Sequence, residues 1–249
     1  MKKYHNTLIV ISLVLVYLVI SAGAVVRMTG SGMGCPDWPK CFGYLIPPTE
    51  RSELDWKPNH NYLEGEVIIV KESLRVAIQD FNSQNQYLTE NWEVYTKHDY
   101  AIFNAKHTWI EFINRLLGAI AGLATLLLFI NSLVRLKNDF WAAFLAFLIV
   151  LGMGFQGWLG KTVVDSNLLP YKITIHMIMA LLIVLLLIIL LAREREPVKG
   201  LSNVYHIKWI VAISLVLTLF QIGMGTQIRQ FVDVQMHTFN LSNASKWLN

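Results

Sequence analysis

Charged residues interrupt this chain at membrane-thickness intervals, and that spacing constrains the fold more than any single motif. Uncharged runs extend from Leu8 to Val26, Leu116 to Val134, Phe140 to Gly160, Ile173 to Ala192 and Trp209 to Ile228. Each has about the 20 residues a helix needs to cross roughly 30 Å of hydrocarbon. Lipid offers no partner to open backbone groups, so the runs are read as five helices. Composition agrees: 15% of residues are charged and mean hydropathy is +0.44, whereas soluble domains average about a quarter charged. The expected fold is an all-α integral membrane protein, a five-span helical bundle. Lys2 and Lys3 ahead of the first run resemble the start of a signal peptide. The run is too long and too apolar for one, and Arg27 follows it without a cleavage site, so it is read as a retained span.

The basic residues orient the bundle. Lys2 and Lys3, Arg135 and Lys137, and Arg193, Arg195 and Lys199 all fall on one side of a five-span zigzag. The positive-inside rule makes that side cytoplasmic, with the N-terminus inside and the C-terminus outside. The net charge of +4 is thereby explained by lipid topology, and nucleic acid is excluded as a partner. The outer side receives a loop of about 80 residues spanning 28–107, a short turn near 161–172, and the tail after Arg229. A short amphipathic helix is expected in the long loop near Glu72–Phe81. The loop itself reads as a solvated excursion or, alternatively, a lid.

That loop opens Gly30-Ser-Gly-Met-Gly-Cys-Pro-Asp-Trp-Pro-Lys-Cys41, whose glycines and prolines force a shaped turn at the membrane surface. Cys35 and Cys41, the only cysteines, lie on the oxidising side, where a bridge closing a small loop is reasonable. A metal site and a redox-active pair are the alternatives. The first lacks nearby histidines and the second lacks the C-x-x-C spacing.

Of seven histidines, His5, His60, His98 and His206 fall in loops or at cytoplasmic edges and are assigned no role, and His237 lies in the outer tail. His107 and His176 differ. One opens the second span, the other lies a turn inside the fourth, and both spans enter from outside, so the two imidazoles sit at similar depth. Such a pair can clamp a flat macrocycle as axial ligands clamp haem iron, or each can bond a carbonyl or interfacial water. His107, Glu111, Asn114, Arg115, Gly118 and Gly122 recur at helical spacing along one face. Gly118-Ala-Ile-Ala-Gly122 lets a helix or a flat ligand approach closely. Glu111 and Arg115 form an i,i+4 pair that can neutralise itself, or Glu111 can handle protons beside a ligand. Arg115, Arg27 and Lys161 are placed to hold propionate carboxylates, although basic residues at span ends also snorkel. The first, third and fifth spans share a glycine-plus-cation outer end.

Taken in order, these motifs resemble the haem A synthases. Gly23-Ala-Val-Val-Arg-Met-Thr-Gly-Ser-Gly32 with Cys35-Pro-Asp-Trp-Pro-Lys-Cys41 is similar to that family's first span and outer loop. Trp109-Ile-Glu-Phe-Ile-Asn-Arg-Leu-Leu-Gly118 resembles its Glu-x-x-(His/Asn)-Arg helix start, and Gln156-Gly-Trp-Leu-Gly160 and Ile175-His-Met-Ile-Met-Ala-Leu181 its third and fourth spans. The resemblance covers nearly all of residues 8–192. It implies an oxidoreductase that converts haem O to haem A for cytochrome c oxidase biogenesis, in a bacterial plasma membrane. It implies two four-helix halves, each holding a haem through histidines on its second and fourth helices. On that pattern 1–200 is one complete haem-binding half, and 201–249 is the first helix of a second half whose haem b site is largely missing. The resemblance further implies a Cys35–Cys41 disulfide, Glu111 as catalytic residue, and His176 as iron ligand. The second ligand is His107 or the Asn114 position, about 10 Å apart along one helix face. Implied partners are the haem O synthase (protohaem farnesyltransferase), cytochrome oxidase subunit I or its assembly factors, an electron donor and a second copy of this chain. A haem carrier or b-type cytochrome, and a truncated fragment, are the alternatives.

Overall fold

The computed structural model describes residues 2–96, 103–166, 168–195 and 205–239. Five helices are long and apolar enough to cross a membrane: α1 (Lys2–Thr29), α2 (Ala105–Val134), α3 (Phe140–Asp165), α4 (Pro170–Glu194) and α5 (Tyr205–Phe239). The chain is a multi-pass membrane protein, mostly helical, as the charge spacing predicts. The helices outrun the uncharged stretches: α2 starts eleven residues before Leu116 (105 against 116), and α5 runs on to Phe239, eleven residues past Ile228 (239 against 228). Asn104 caps α2, its side-chain oxygen accepting from the Lys106 and His107 amides. In that first stretch Glu111 and Arg115 pair with each other.

Helices α1 to α4 form an antiparallel ring in which each packs on its chain neighbours and α4 closes onto α1. Ile9, Val16, Ala121, Leu128, Ala142, Ala146, Ile149, Ile183 and Leu187 fill the centre. Small residues on α2 and α3 let the backbones approach, and Gly152 is the tightest point: a Cβ there would lie 3.0 Å from Met179 and 3.1 Å from Ile183. Helix α5 packs chiefly on α4, through a hydrogen bond between Thr174 and Thr226 of 2.7 Å. Its other faces present apolar side chains outward.

The long outer loop is a folded layer rather than a solvated excursion. It carries β1 (Asn61–Tyr62), β2 (Val67–Val70), β3 (Ser73–Ala77), β4 (Phe81–Asn82) and β5 (Trp92–Val94). They pair antiparallel as β1–β4 and as β2–β3–β5. The helix expected near Glu72–Phe81 is therefore corrected to strand β3 and the start of β4. Val67-Ile-Ile-Val70 is β-branched throughout, and pairing it with Ser73–Ala77 through a tight Lys71-Glu72 turn outweighs a weak local helical period. Two small cores result. Tyr62, Ile68, Ala77 and Trp92 form one, and Cys35, Cys41, Phe42, Leu54, Val67, Ile69 and Leu74 the other. The second joins the strands to the disulfide loop, so the layer is continuous with the outer end of the bundle.

Candidate functional site

Two groups of polar side chains gather at the strand-bearing end of the bundle, the end expected to face out. The first fastens the cysteine loop to α2. Cys35 and Cys41 are disulfide-bonded, closing the loop. Glu111, only 4% exposed, accepts the Cys35 amide at 2.9 Å and pairs with Arg115 one turn on. Arg115 spends its other nitrogen on the carbonyls of Asp37 (2.7 Å) and Lys40 (2.9 Å). Thr108 donates to the Gly34 carbonyl at 2.8 Å, and Tyr95 donates to that of Pro36 at 2.6 Å. Gly34 lies so close to α2 that a Cβ would sit 2.5 Å from the His107 carbonyl. Inside the loop, the Asp37 carboxylate accepts the amides of Phe42 (2.5 Å) and Gly43 (2.8 Å), which adopt positive φ of 56° and 81°. Burial pushes the Asp37 carboxyl up from its ordinary range, against the pull of those two amides and of Arg115.

The second group surrounds His176 on the second turn of α4. Its ring lies against Gly160 of α3, where a Cβ would stand 3.5 Å from Cε1, and its Nδ1 is buried without a hydrogen-bond partner. Gln156, one turn before Gly160 on the same face of α3, donates to the His176 carbonyl at 3.1 Å. His107 is on the first turn of α2, diagonally across the ring from α4, and is half-buried.

The face of α2 picked out by its periodicity is thus divided among three surroundings. Glu111 and Arg115 turn to the cysteine loop. Asn114 turns to α1, its Oδ1 buried and 3.8 Å from where a Cβ on Gly23 would stand. Gly118 and Gly122 face open space, with nothing within 4 Å of an added Cβ, so among the described residues no helix uses the small-residue approach they offer. Gly154, Gly157, Gly223 and Gly225 are equally open, whereas Gly23 and Gly160 of the same glycine-rich ends meet Asn114 and His176. Lys161 pairs with Asp165 at 2.9 Å on the outer surface of α3, and Arg27 is half-buried near the end of α1.

Sequence reasoning passes over four contributors: Asp37, Thr108, Gly34 and Gln156. Gly34, Thr108 and Gln156 act through contacts with a distant segment and Asp37 through the Phe42 and Gly43 amides, although Gly34, Asp37 and Gln156 all lie within quoted motifs. It also assigns His5 no role, whereas His5 is fully buried on α1 at the end of the bundle opposite the strand layer. Its Nδ1 meets Asn131 at 3.0 Å and its Nε2 lies 3.6 Å from Glu194, which Arg135 bonds at 3.0 Å. The side chains of His206 and His237 lie outside the described residues, as do His98 and Lys199 entirely. Among the described residues no cluster of three or more His, Cys, Asp or Glu side chains could hold a metal ion alone. A metal already chelated by a macrocycle needs fewer ligands, so a single imidazole such as that of His176, whose buried Nδ1 has no partner, fits such a group.

Comparison with known proteins bears on the same residues. The family model described as cytochrome oxidase assembly protein (COX15-CtaA) matches residues 6–65 and 70–248. A protein of Shewanella oneidensis named heme A synthase is 29% identical over 217 residues, which are 86% of this chain and 54% of that protein. Proteins of the same name from Flavobacterium johnsoniae (23% identical, 90% of this chain, 62% of the relative) and Bradyrhizobium diazoefficiens (26%, 86% and 54%) align similarly. The chain spans about half the length of the curated relatives it matches. No solved structure matches it.

Proposed function

The chain belongs to the COX15-CtaA family of cytochrome oxidase assembly proteins, and on that premise we propose that it acts in haem A synthesis, oxidising the ring methyl of haem O to a formyl group near the outer membrane face. The observation that carries this reading is His176, an imidazole on an outer-end helix turn with a buried, unpartnered ring nitrogen, in a chain of this family. Haem iron held there would supply the oxygen chemistry, with oxygen and electrons coming from outside the chain. His176 would be one axial ligand, and His107 on the diagonal helix would be the second ligand or stand beside the ring. Asn114 is a weaker candidate because its side chain is turned into the contact with α1. Arg27 and Lys161 are the cations expected to meet propionates, Lys161 in exchange for its Asp165 pair, whereas the guanidinium of Arg115 is committed to Glu111 and two carbonyls. The folded outer layer would roof the site and exclude water.

Glu111 is less suited to proton transfer than its position suggests, because Arg115 and the Cys35 amide occupy its carboxylate. That engagement favours a second reading, in which the chain carries haem as a b-type cytochrome and Glu111 serves to hold the cysteine loop. The proposed setting is a bacterial plasma membrane with the N-terminus inside, with haem O synthase upstream and cytochrome oxidase subunit I or its assembly factors downstream.

Expression in a host that makes haem O but no haem A separates the readings. Extraction of haem A from the purified chain supports synthesis. Only haem B or haem O, bound and unchanged, supports carriage, and no haem at all removes both.

A further inference from the structure

We propose that Gln156 is a positioning residue that fixes the tautomer of His176, keeping the proton on Nδ1 and leaving Nε2 as the lone pair offered to a metalloporphyrin iron. The proposal rests on the haem-binding reading above and adds the residue that makes His176 a competent ligand. Gln156 and Gly160 are one turn apart on α3, and both touch His176 of α4. The orientation of the Gln156 amide is not arbitrary. The His176 carbonyl can only accept, so the nitrogen of the amide faces it at 3.1 Å. The amide oxygen is left buried and without a partner. His176 Nδ1 is also buried and without a partner. An acceptor and a potential donor are therefore stranded on two residues already in contact, and each carries a desolvation cost until matched.

A hydrogen bond between the two would satisfy both groups, but only if Nδ1 bears the proton. The resulting Nδ1–H to Oε1 bond sets the ring plane and raises the basicity of Nε2, as outer partners of metal-bound imidazoles do. Gly160 contributes shape alone: a methyl group there would make ordinary contact with the ring at 3.5 Å.

The test uses the full chain in detergent micelles, titrated with haem B as probe. Binding is followed by the Soret band, iron midpoint potential by redox titration, and folding by circular dichroism. Gln156→Leu is expected to weaken haem binding about 10- to 100-fold. Gln156→Glu, a stronger acceptor, is expected to keep binding and lower the midpoint potential. If Gln156→Leu does not fold, the sign of the Gln156→Glu potential shift decides alone. Wild-type affinity in Gln156→Leu, or an unchanged potential in Gln156→Glu, overturns the positioning role while His176→Ala still loses the haem. If His176→Ala binds as wild type, the haem-binding reading has failed, and this proposal with it.

Discussion

Glu111 shows how burial changes the meaning of a charged residue in a membrane segment. A carboxylate at 4% exposure is costly unless it is paired and hydrogen-bonded, and here Arg115 and the Cys35 amide do both. Removing one partner of such a pair costs about 3–5 kcal/mol, because the other charge is left buried. Arg115→Ala should therefore lower the melting temperature and expose the Cys35–Cys41 bridge to reductant. Glu111→Gln, which retains an acceptor for the Cys35 amide, should expose it less. Equal reduction rates in the two variants would show that the loop is held by other contacts. Asp37 allows a pH test at the same place. Its carboxyl titrates higher folded than unfolded, so the folded loop binds the extra proton. Stability is then greatest below the ordinary aspartate value of about 3.9 and declines as pH rises through the folded value. Asp37→Asn should flatten that decline, measured as the pH dependence of bridge reduction by a phosphine. A wild-type profile in the variant would assign the dependence to another group.

Among the elements, the cysteine loop and α2 act as one unit, because Gly34 brings two backbones together where no side chain fits. A Cβ at 2.5 Å from the His107 carbonyl forces the loop away from α2. Gly34→Ala should thus cost several of the loop's bonds at once and mimic Arg115→Ala in reduction rate. At the opposite end His5, Asn131, Arg135 and Glu194 tie α1, α2 and α4 together. Glu194→Ala would leave Arg135 without its buried partner and should destabilise the bundle by about 3–5 kcal/mol. A chemical-denaturation midpoint within error of wild type would rule the cluster out as a clamp. The strands of the outer layer were hidden from sequence reasoning because their stability lies in cross-strand pairs, Val67 with Val76 and Ala77 with Trp92, that local periodicity does not register.

For the whole molecule the governing constraint is the bilayer. Five hydrophobic helices cross it, the first four in a closed ring and the fifth attached along α4. Single cysteines placed at the Lys137 turn and at exposed Glu64 of the outer layer should label from opposite faces of intact cells, with Glu64 reached by an impermeant reagent. Labelling of both from one side would overturn the proposed orientation. The number, order and approximate limits of the spans were legible in the amino-acid sequence, because each residue pays its transfer cost to lipid largely independently of its neighbours in space. The grouping of Cys35, Cys41, Glu111 and Arg115 at one end of the bundle was legible for the same reason, since the order of spans alone brings those segments to one face. Partnership was decided by the tertiary structure. Which way Asn114 turns, whether Glu111 is free, that His5 is buried, and that Gln156 meets His176 depend on distances between helices far apart in the chain, and such distances leave no periodic trace along it.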